Sequence, residues 1–316
     1  MVSANPAAKT GKGVKGRRYI GSEILFIAIL TIFVLMCVIP VIHVVALSLS
    51  DRQSVLSGQV TLWPIGWDVN AYRSVFNDAT MQRSMIFSII LTIVYTVMAM
   101  ICSILVAYPL SRSYLPGKKF LMVLILIPMY FTGGTIPNYL WIKDLHLIDS
   151  PWSLVLPILT STYNIIIMRN FFSSISPSLE ESAKLDGCND FMILLRIVLP
   201  LSTASLATVA LFYAVSRWNS YADVRYYINN QAYFTLQMKL YQVVFNSTDT
   251  SVAMVEGGAN AVLPDTIRSA AIVFSTVPIL IVYPFLQKYF VQRKRRCGPT
   301  RSSGWPPTRR RSPPPH

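Results

Sequence analysis

Six apolar stretches limit this chain more than any other feature: residues 24–49, 85–110, 120–136, 152–168, 199–215 and 270–286. Each is long and free enough of charge to cross a hydrocarbon core roughly 30 Å thick, and the last four sit near the minimum length. Lipid offers no hydrogen-bond partner to backbone groups, so only helices and closed barrels span it. The stretches are continuously apolar rather than alternating, which selects helices. The predicted fold class is an all-α integral membrane protein with six transmembrane helices. Composition agrees: 53% hydrophobic and 13% charged residues are too apolar a mixture for a soluble domain of 316 residues.

An even number of spans puts both ends on one side of the membrane. The N-tail carries Lys9, Lys12, Lys15, Arg17 and Arg18 with no acid before Glu23. The positive-inside rule then makes both termini cytoplasmic. That orientation leaves 20 of the 28 Lys and Arg residues inside and 8 outside. The net charge of +14 does not point to nucleic acid, because all 14 acids lie between Glu23 and Asp265, the 14 bases from Arg52 to Arg268 balance them, and the excess sits in the tails. Basic tails flanking spans act as topology determinants or as contacts to anionic membrane lipid. The N-tail and first span are too long for a cleaved signal peptide and read as a retained anchor. Cys37, Cys102, Cys188 and Cys297 form no CxxC pair, and His43, His146 and His316 are scattered, so neither a metal nor a cofactor is expected.

Between the fourth and fifth stretches lies a crowded charged segment, LEESAKLDGCNDFMILLRIVLP (179–200), which this topology makes cytoplasmic. Ser178 and Glu181 have the spacing of a capping box, and Pro177 suits a first helical turn. Gly187 offers a C-terminal stop, Asp190 a cap for a second helix, and Pro200 a place in the first turn of the fifth span. These signals predict a helix, turn, helix hairpin along the membrane surface. By composition alone such a hairpin is also an amphipathic interfacial elbow.

Spacing adds a second reading. Glu181, Ala183, Gly187, Ile197, Leu199 and Pro200 fit the EAA motif of ABC importer permeases, with three residues between Ala183 and Gly187 and nine between Gly187 and Ile197. The segments AYPLSR (107–112), GGTIPNYLWIKDLHLIDSPWSLVLP (133–157), MRNFFSSISPSLEESAKLDG (168–187) and AAIVFSTVPILIVYPFLQKYFV (270–291) extend the likeness over about residues 20–291. The chain resembles the carbohydrate branch of these binding-protein-dependent permeases, to which the second permease of the maltose transporter belongs, and is most similar to oligosaccharide permeases. It departs from the motif at Ser182 and Cys188, where alanine is usual.

The resemblance implies a type I (MetI-like) permease with a core of five helices at 85–291, preceded by a first helix and outer loop at 21–84. It also implies a coupling helix in the hairpin, docked in a groove of a cytoplasmic ATPase, with Glu181, Ser182, Ala183, Asp186, Gly187, Ile197, Leu199 and Pro200 carrying the coupling. Ala183 and Gly187, four apart, would form a small face against that partner. The implied partners are a homologous second permease, an ABC ATPase dimer and an extracytoplasmic solute-binding protein. The implied location is a bacterial cell membrane. The tail at 292–316 departs from the family; its Arg, Pro and Ser content predicts disorder.

No ATP site is visible in the chain. GKGVKGR (11–17) has the glycine spacing of a phosphate loop but continues into Arg18 instead of Ser or Thr, and LSGQ (56–59) falls on the outer side. The chain is therefore expected not to be an enzyme. A sugar path would suit interrupted helices carrying aromatic faces beside hydroxyl and amide groups. Tyr130 and Phe131 in the third stretch, and Thr160, Tyr163 and Asn164 in the fourth, meet that description, with packing or an interfacial belt as the other reading. The outer connection at 218–264 is rich in Tyr and either meets the binding protein or packs on its own subunit. Two readings of function stay open beside sugar import: the same architecture carrying a peptide or amino acid, and an ATP-independent facilitator.

Overall fold

The computed structural model describes residues 20–245 and 263–291, with side chains described for 23–245 and 263–281. The basic N-tail, the glycine pair at 257–258 and the tail at 292–316 lie outside the described residues. Every regular element among those described is helical.

Helix α1 (Ile20–Ser48) runs for 29 residues, about 43 Å at 1.5 Å per residue, and its apolar length is exposed until Ala46. Its last turn enters a cap of short helices: Ser48 Oγ meets Tyr72 Oη at 2.7 Å, and Ser50 Oγ accepts from the amide of Ile65 at 3.2 Å. That cap holds the short helices α2 (Arg52–Leu56) and α3 (Asn70–Asn77). Asp78 then caps α4 (Ala79–Ser111), accepting from Thr80 N at 2.8 Å.

The 33 residues of α4 form the axis of the molecule. Its buried positions Ser84, Ser88, Leu91, Tyr95, Ala99, Ser103 and Ala107 recur every three or four residues, one face of a helix. Small residues dominate that face and allow close approach, as expected for packing inside a bilayer. Two helices lie along it, α7 (Thr162–Ser173) and α11 (Thr203–Asn219), while α1 packs on the last helix.

Three described helices are long and apolar enough to cross a membrane alone, and three further pairs pass only when a bend is allowed between their halves. The apolar stretches 120–136, 152–168 and 199–215 each fall on one of these bent pairs. Helix α5 (Lys118–Tyr130) turns by 111° into α6 (Thr135–Asp144), at a junction where Gly134 adopts φ +86°. The fourth stretch starts as 3₁₀ turns at Pro151–Leu154 and Leu156–Ile158, bends by 52° and becomes α7.

Backbone groups freed at this second bend find side chains. Tyr95 Oη donates to Ile158 O at 2.9 Å, Ser161 N donates to Tyr213 Oη at 3.2 Å, and Thr162 Oγ1 donates to Ile125 O at 3.0 Å. This is the satisfaction that irregular backbone needs at membrane depth. The third bend, 85°, falls at Ser202, two residues after Pro200, which sits at the start of the short helix Leu199–Leu201. Pro200 has no N–H to return to the carbonyl of Arg196, and the helix widens into a π turn at Leu194–Val198 just ahead of it.

Beyond α11 the connection forms α12 (Ala222–Tyr227) and α13 (Leu236–Phe245), and the last described helix is α14 (Pro264–Val291).

Candidate functional site

The charged segment folds as a hairpin. Its first limb is α8 (Pro177–Leu185); its second runs from α9 (Asp190–Ile193) through the π turn to α10 (Leu199–Leu201). Helix α8 ends in a Schellman turn, in which Gly187 N reaches Lys184 O and Cys188 N reaches Ala183 O, both at 3.0 Å, with Gly187 at φ +83°. The stop expected at Gly187 is therefore present.

Both expected caps move by residues the sequence does not decide. Ser176, not Ser178, is the N-cap of α8, which puts Glu181 beyond the third helical position that a capping box requires; Ser178 Oγ instead meets Ser176 Oγ at 2.8 Å. Asn189, not Asp190, caps the second limb by accepting from Met192 N at 2.8 Å.

Helix α8 has two faces. Glu181, Ser182, Asp186 and Gly187 are exposed, joined by Leu185 at 89% exposure, a large apolar side chain at the tip of the hairpin. Glu180 and Ala183 are buried at 7%. The expected partner face of Ala183 and Gly187 is thus corrected: Ala183 belongs to the chain's own core, and Gly187 alone of the two faces outward. Ile197 and Leu199 are half-buried against the same core, holding the second limb down, while Pro200 is exposed.

The inner face is gripped by the end of α4. Arg112 forms an ion pair with Glu180, the two side chains being 8% and 9% exposed. Its guanidinium lies 4.4 Å over the Tyr108 ring, and Tyr108 Oη donates to Asp190 O at 3.1 Å on the second limb. Lys184 Nζ meets Asp190 Oδ1 at 3.0 Å and lies over Tyr114, joining the limbs across their exposed edge. The hydrogen bond that it donates to Asp190 holds the Lys184 ammonium above its usual pKa. The last carbonyls of α4 are also taken, that of Leu110 by Arg169 Nε, Ser111 by Ser173 Oγ and Arg112 by Lys118 Nζ, at 3.1, 3.3 and 2.9 Å. Cations at a helix C-terminus suit its dipole. Sequence reasoning missed Arg112, Glu180 and Leu185. Leu185 was signalled only by its place four residues after Glu181.

The expected path residues separate. Tyr130 and Phe131 are each 76% exposed beside the first bend, and Tyr163 is exposed one turn after the second, its ring 6.3 Å from Phe212. Thr160 is exposed at that same bend. Asn164 is 5% exposed, packed in the chain's own interior, unlike the other four.

At the opposite end, Arg217 is buried and shared between Leu154 O at 2.8 Å and Asp223 Oδ2 at 2.5 Å. Asp149 accepts from Asn230 N at 2.9 Å and from both nitrogens of Asn229, and these bonds hold its carboxyl below the usual range. Tyr227 stacks on Tyr139, Tyr221 on Tyr241, and Phe234 is buried. Residues 218–245 thus pack on their own subunit, with Tyr226 left exposed at 49%.

The sequence profile of the family described as binding-protein-dependent transport system inner membrane component matches residues 15–296. The polygalacturonan/rhamnogalacturonan transport system permease protein YtcP of Bacillus subtilis (strain 168) is 43% identical over 271 residues, covering 85% of this chain and 95% of that one. Protein LplC of the same organism is 40% identical over 256 residues, 81% of this chain and 86% of its own. A solved bacterial ABC transporter involved in the import of the acidic polysaccharide alginate contains a chain that is 33% identical, with a TM-score of 0.81 over 88% of this chain and 100% of that one.

Proposed function

The chain belongs to the family of binding-protein-dependent transport system inner membrane components, and from that premise we propose that it is the permease subunit of an ATP-driven importer whose ATPase docks on the outer face of α8. The observation that carries the docking site is the two-faced α8, with Glu181, Ser182, Leu185, Asp186 and Gly187 exposed and Glu180 and Ala183 turned into the core. A helix that lays one face into a partner's groove needs that division, with an apolar anchor among polar contacts.

The chain itself hydrolyses nothing; hydrolysis resides in the separate ATPase subunits of the importer. Its other partners are a second, homologous permease and an extracytoplasmic binding protein that delivers the cargo. Closure of the ATPase dimer moves the hairpin, and the membrane helices exchange an inward-open for an outward-open arrangement. Both termini and the hairpin are cytoplasmic; support comes from Arg112, Lys118, Arg169 and Lys184, which gather at one end of the bundle. The bent pairs α5 with α6, and the 3₁₀ turns with α7, each serve as one span, making six with α11. Tyr130, Phe131, Thr160 and Tyr163 are the available faces for a sugar, an aromatic and hydroxyl set at two helix breaks.

The cargo is a sugar. Support for an oligosaccharide cut from an acidic polysaccharide comes from two similar proteins, one a polygalacturonan/rhamnogalacturonan permease and the other from an alginate importer. The test is uptake into proteoliposomes holding the full complex, with binding protein outside and ATP inside. Labelled oligogalacturonide enters only when both are present. Glu181→Lys and Gly187→Trp leave the protein inserted but uncouple uptake from ATP. Uptake without nucleotide, or normal coupled uptake in both variants, contradicts the reading.

A further inference from the structure

On the face of α8 opposite the docking surface, Glu180 meets Arg112 at the end of α4. Burial strips water from both ions, and apolar residues of similar volume often hold such a position as well or better, so stability alone does not account for the pair. In some proteins a buried ion or polar group, unlike an apolar contact, fixes one register between the elements that it joins.

The surroundings sharpen that difference. Glu180 and Glu181 are consecutive, so the same turn of α8 presents one carboxylate to the core and the other to the outside. Arg112 is itself held rigidly, stacked over Tyr108 while its carbonyl takes the Lys118 ammonium. Tyr108 bonds in turn to the second limb at Asp190 O, so the end of α4 grips both limbs. From there α4 runs the depth of the bundle and carries α7 and α11, the helices that bear Tyr163 and Phe212.

We propose that Arg112 and Glu180 are positioning residues for transport, an ionic joint that makes α4 follow α8 when the ATPase moves the hairpin. The proposal rests on the docking of an ATPase at α8. Neither residue touches the ATPase or the sugar; both act through the register of α8 on α4.

The experiment compares Glu180→Gln, Arg112→Met, the apolar pair Arg112→Met with Glu180→Leu, and the swap Arg112→Glu with Glu180→Arg, all in the reconstituted complex. Three quantities are read: ATPase subunit recovered with the permease, thermal midpoint of the complex, and sugar imported per ATP hydrolysed. The joint predicts wild-type recovery of the ATPase in all four, because the outer face is untouched. It predicts a fall of about tenfold or more in sugar per ATP for both single variants and for the apolar pair. The apolar pair regains the thermal midpoint without regaining coupling, and the swap regains part of the coupling. An apolar pair that couples like the unaltered protein would overturn the proposal, since the tie would then serve stability alone. So would single variants that fold and couple normally; should the singles fail to fold, the apolar pair and the swap still decide. Failure of the docking premise reads differently, as Glu181→Lys that leaves ATPase recovery unchanged.

Discussion

Both ends of the bundle bury an arginine in an ion pair, and the two pairs do different things. Arg217 binds Asp223 within its own connection, six residues on, together with the carbonyl of Leu154. It pins a turn to the nearest span. Arg112 binds Glu180 on a separate element whose far side is open. The first arrangement closes a surface, and the second leaves a surface open while tying its other side to the core. Large apolar side chains follow the same division: Tyr221, Tyr227 and Phe234 stack or bury on their own subunit at the Arg217 end, whereas Leu185 stands clear at the hairpin end.

The largest effect that would break this comparison lies at the outer pin. Arg217→Met leaves Asp223 without its cation and the carbonyl of Leu154 without a donor, and should cost about 3–5 kcal/mol of folding stability. The thermal midpoint of the purified chain measures it, and an unchanged midpoint would show that the pin is dispensable. Leu185→Asp is the matching change at the open surface. It should leave the midpoint alone and weaken ATPase binding by about 2 kcal/mol, roughly thirtyfold. A lower midpoint with unaltered ATPase binding would make Leu185 a packing residue.

Smaller effects sharpen the contrast. Gly187 has φ +83°, and a Cβ there would meet nothing within 4 Å, so Gly187→Ala tests backbone strain alone. The expected cost is about 1–2 kcal/mol, read as a lower midpoint, and no cost at all would mean that the hairpin turn relaxes freely. Smallest is a pH effect at the outer end. The Asp149 carboxyl is held below its usual range by Asn229 and Asn230, so its contribution is full above the unfolded value near ~3.9 and is lost as pH falls through the folded one. Amide exchange at Asn229 and Asn230 should quicken in that acid window in the native protein and show no such dependence in Asp149→Asn. Equal acid response in both would remove Asp149 as the latch.

Much of this layout was legible in the residues. Apolar runs gave α1, α4 and α14, and a glycine after an amphipathic turn gave the end of α8. The bends were not legible, because a hydropathy window measures apolar content and is blind to whether the backbone continues through it. Gly134 stands at one of them and Pro200 two residues before another, but glycine and proline also occur in unbroken membrane helices, so neither fixes a bend. The motif residues likewise carry no face: Ala183 and Gly187 share a spacing, yet the register of α8 against α4 sends one inward and leaves the other out. That register depends on Arg112 meeting Glu180, a pairing far apart in sequence that no local pattern announces.

The measurement that goes most directly to the central claim is a photo-crosslinking residue placed at Ser182, and separately at Tyr226, in the intact complex in sealed membrane vesicles. Both positions are exposed, one at each end of the bundle. The account predicts an adduct with the ATPase subunit from position 182 and none with it from position 226. An ATPase adduct from 226, or its absence at 182 in membranes that import sugar, would contradict it.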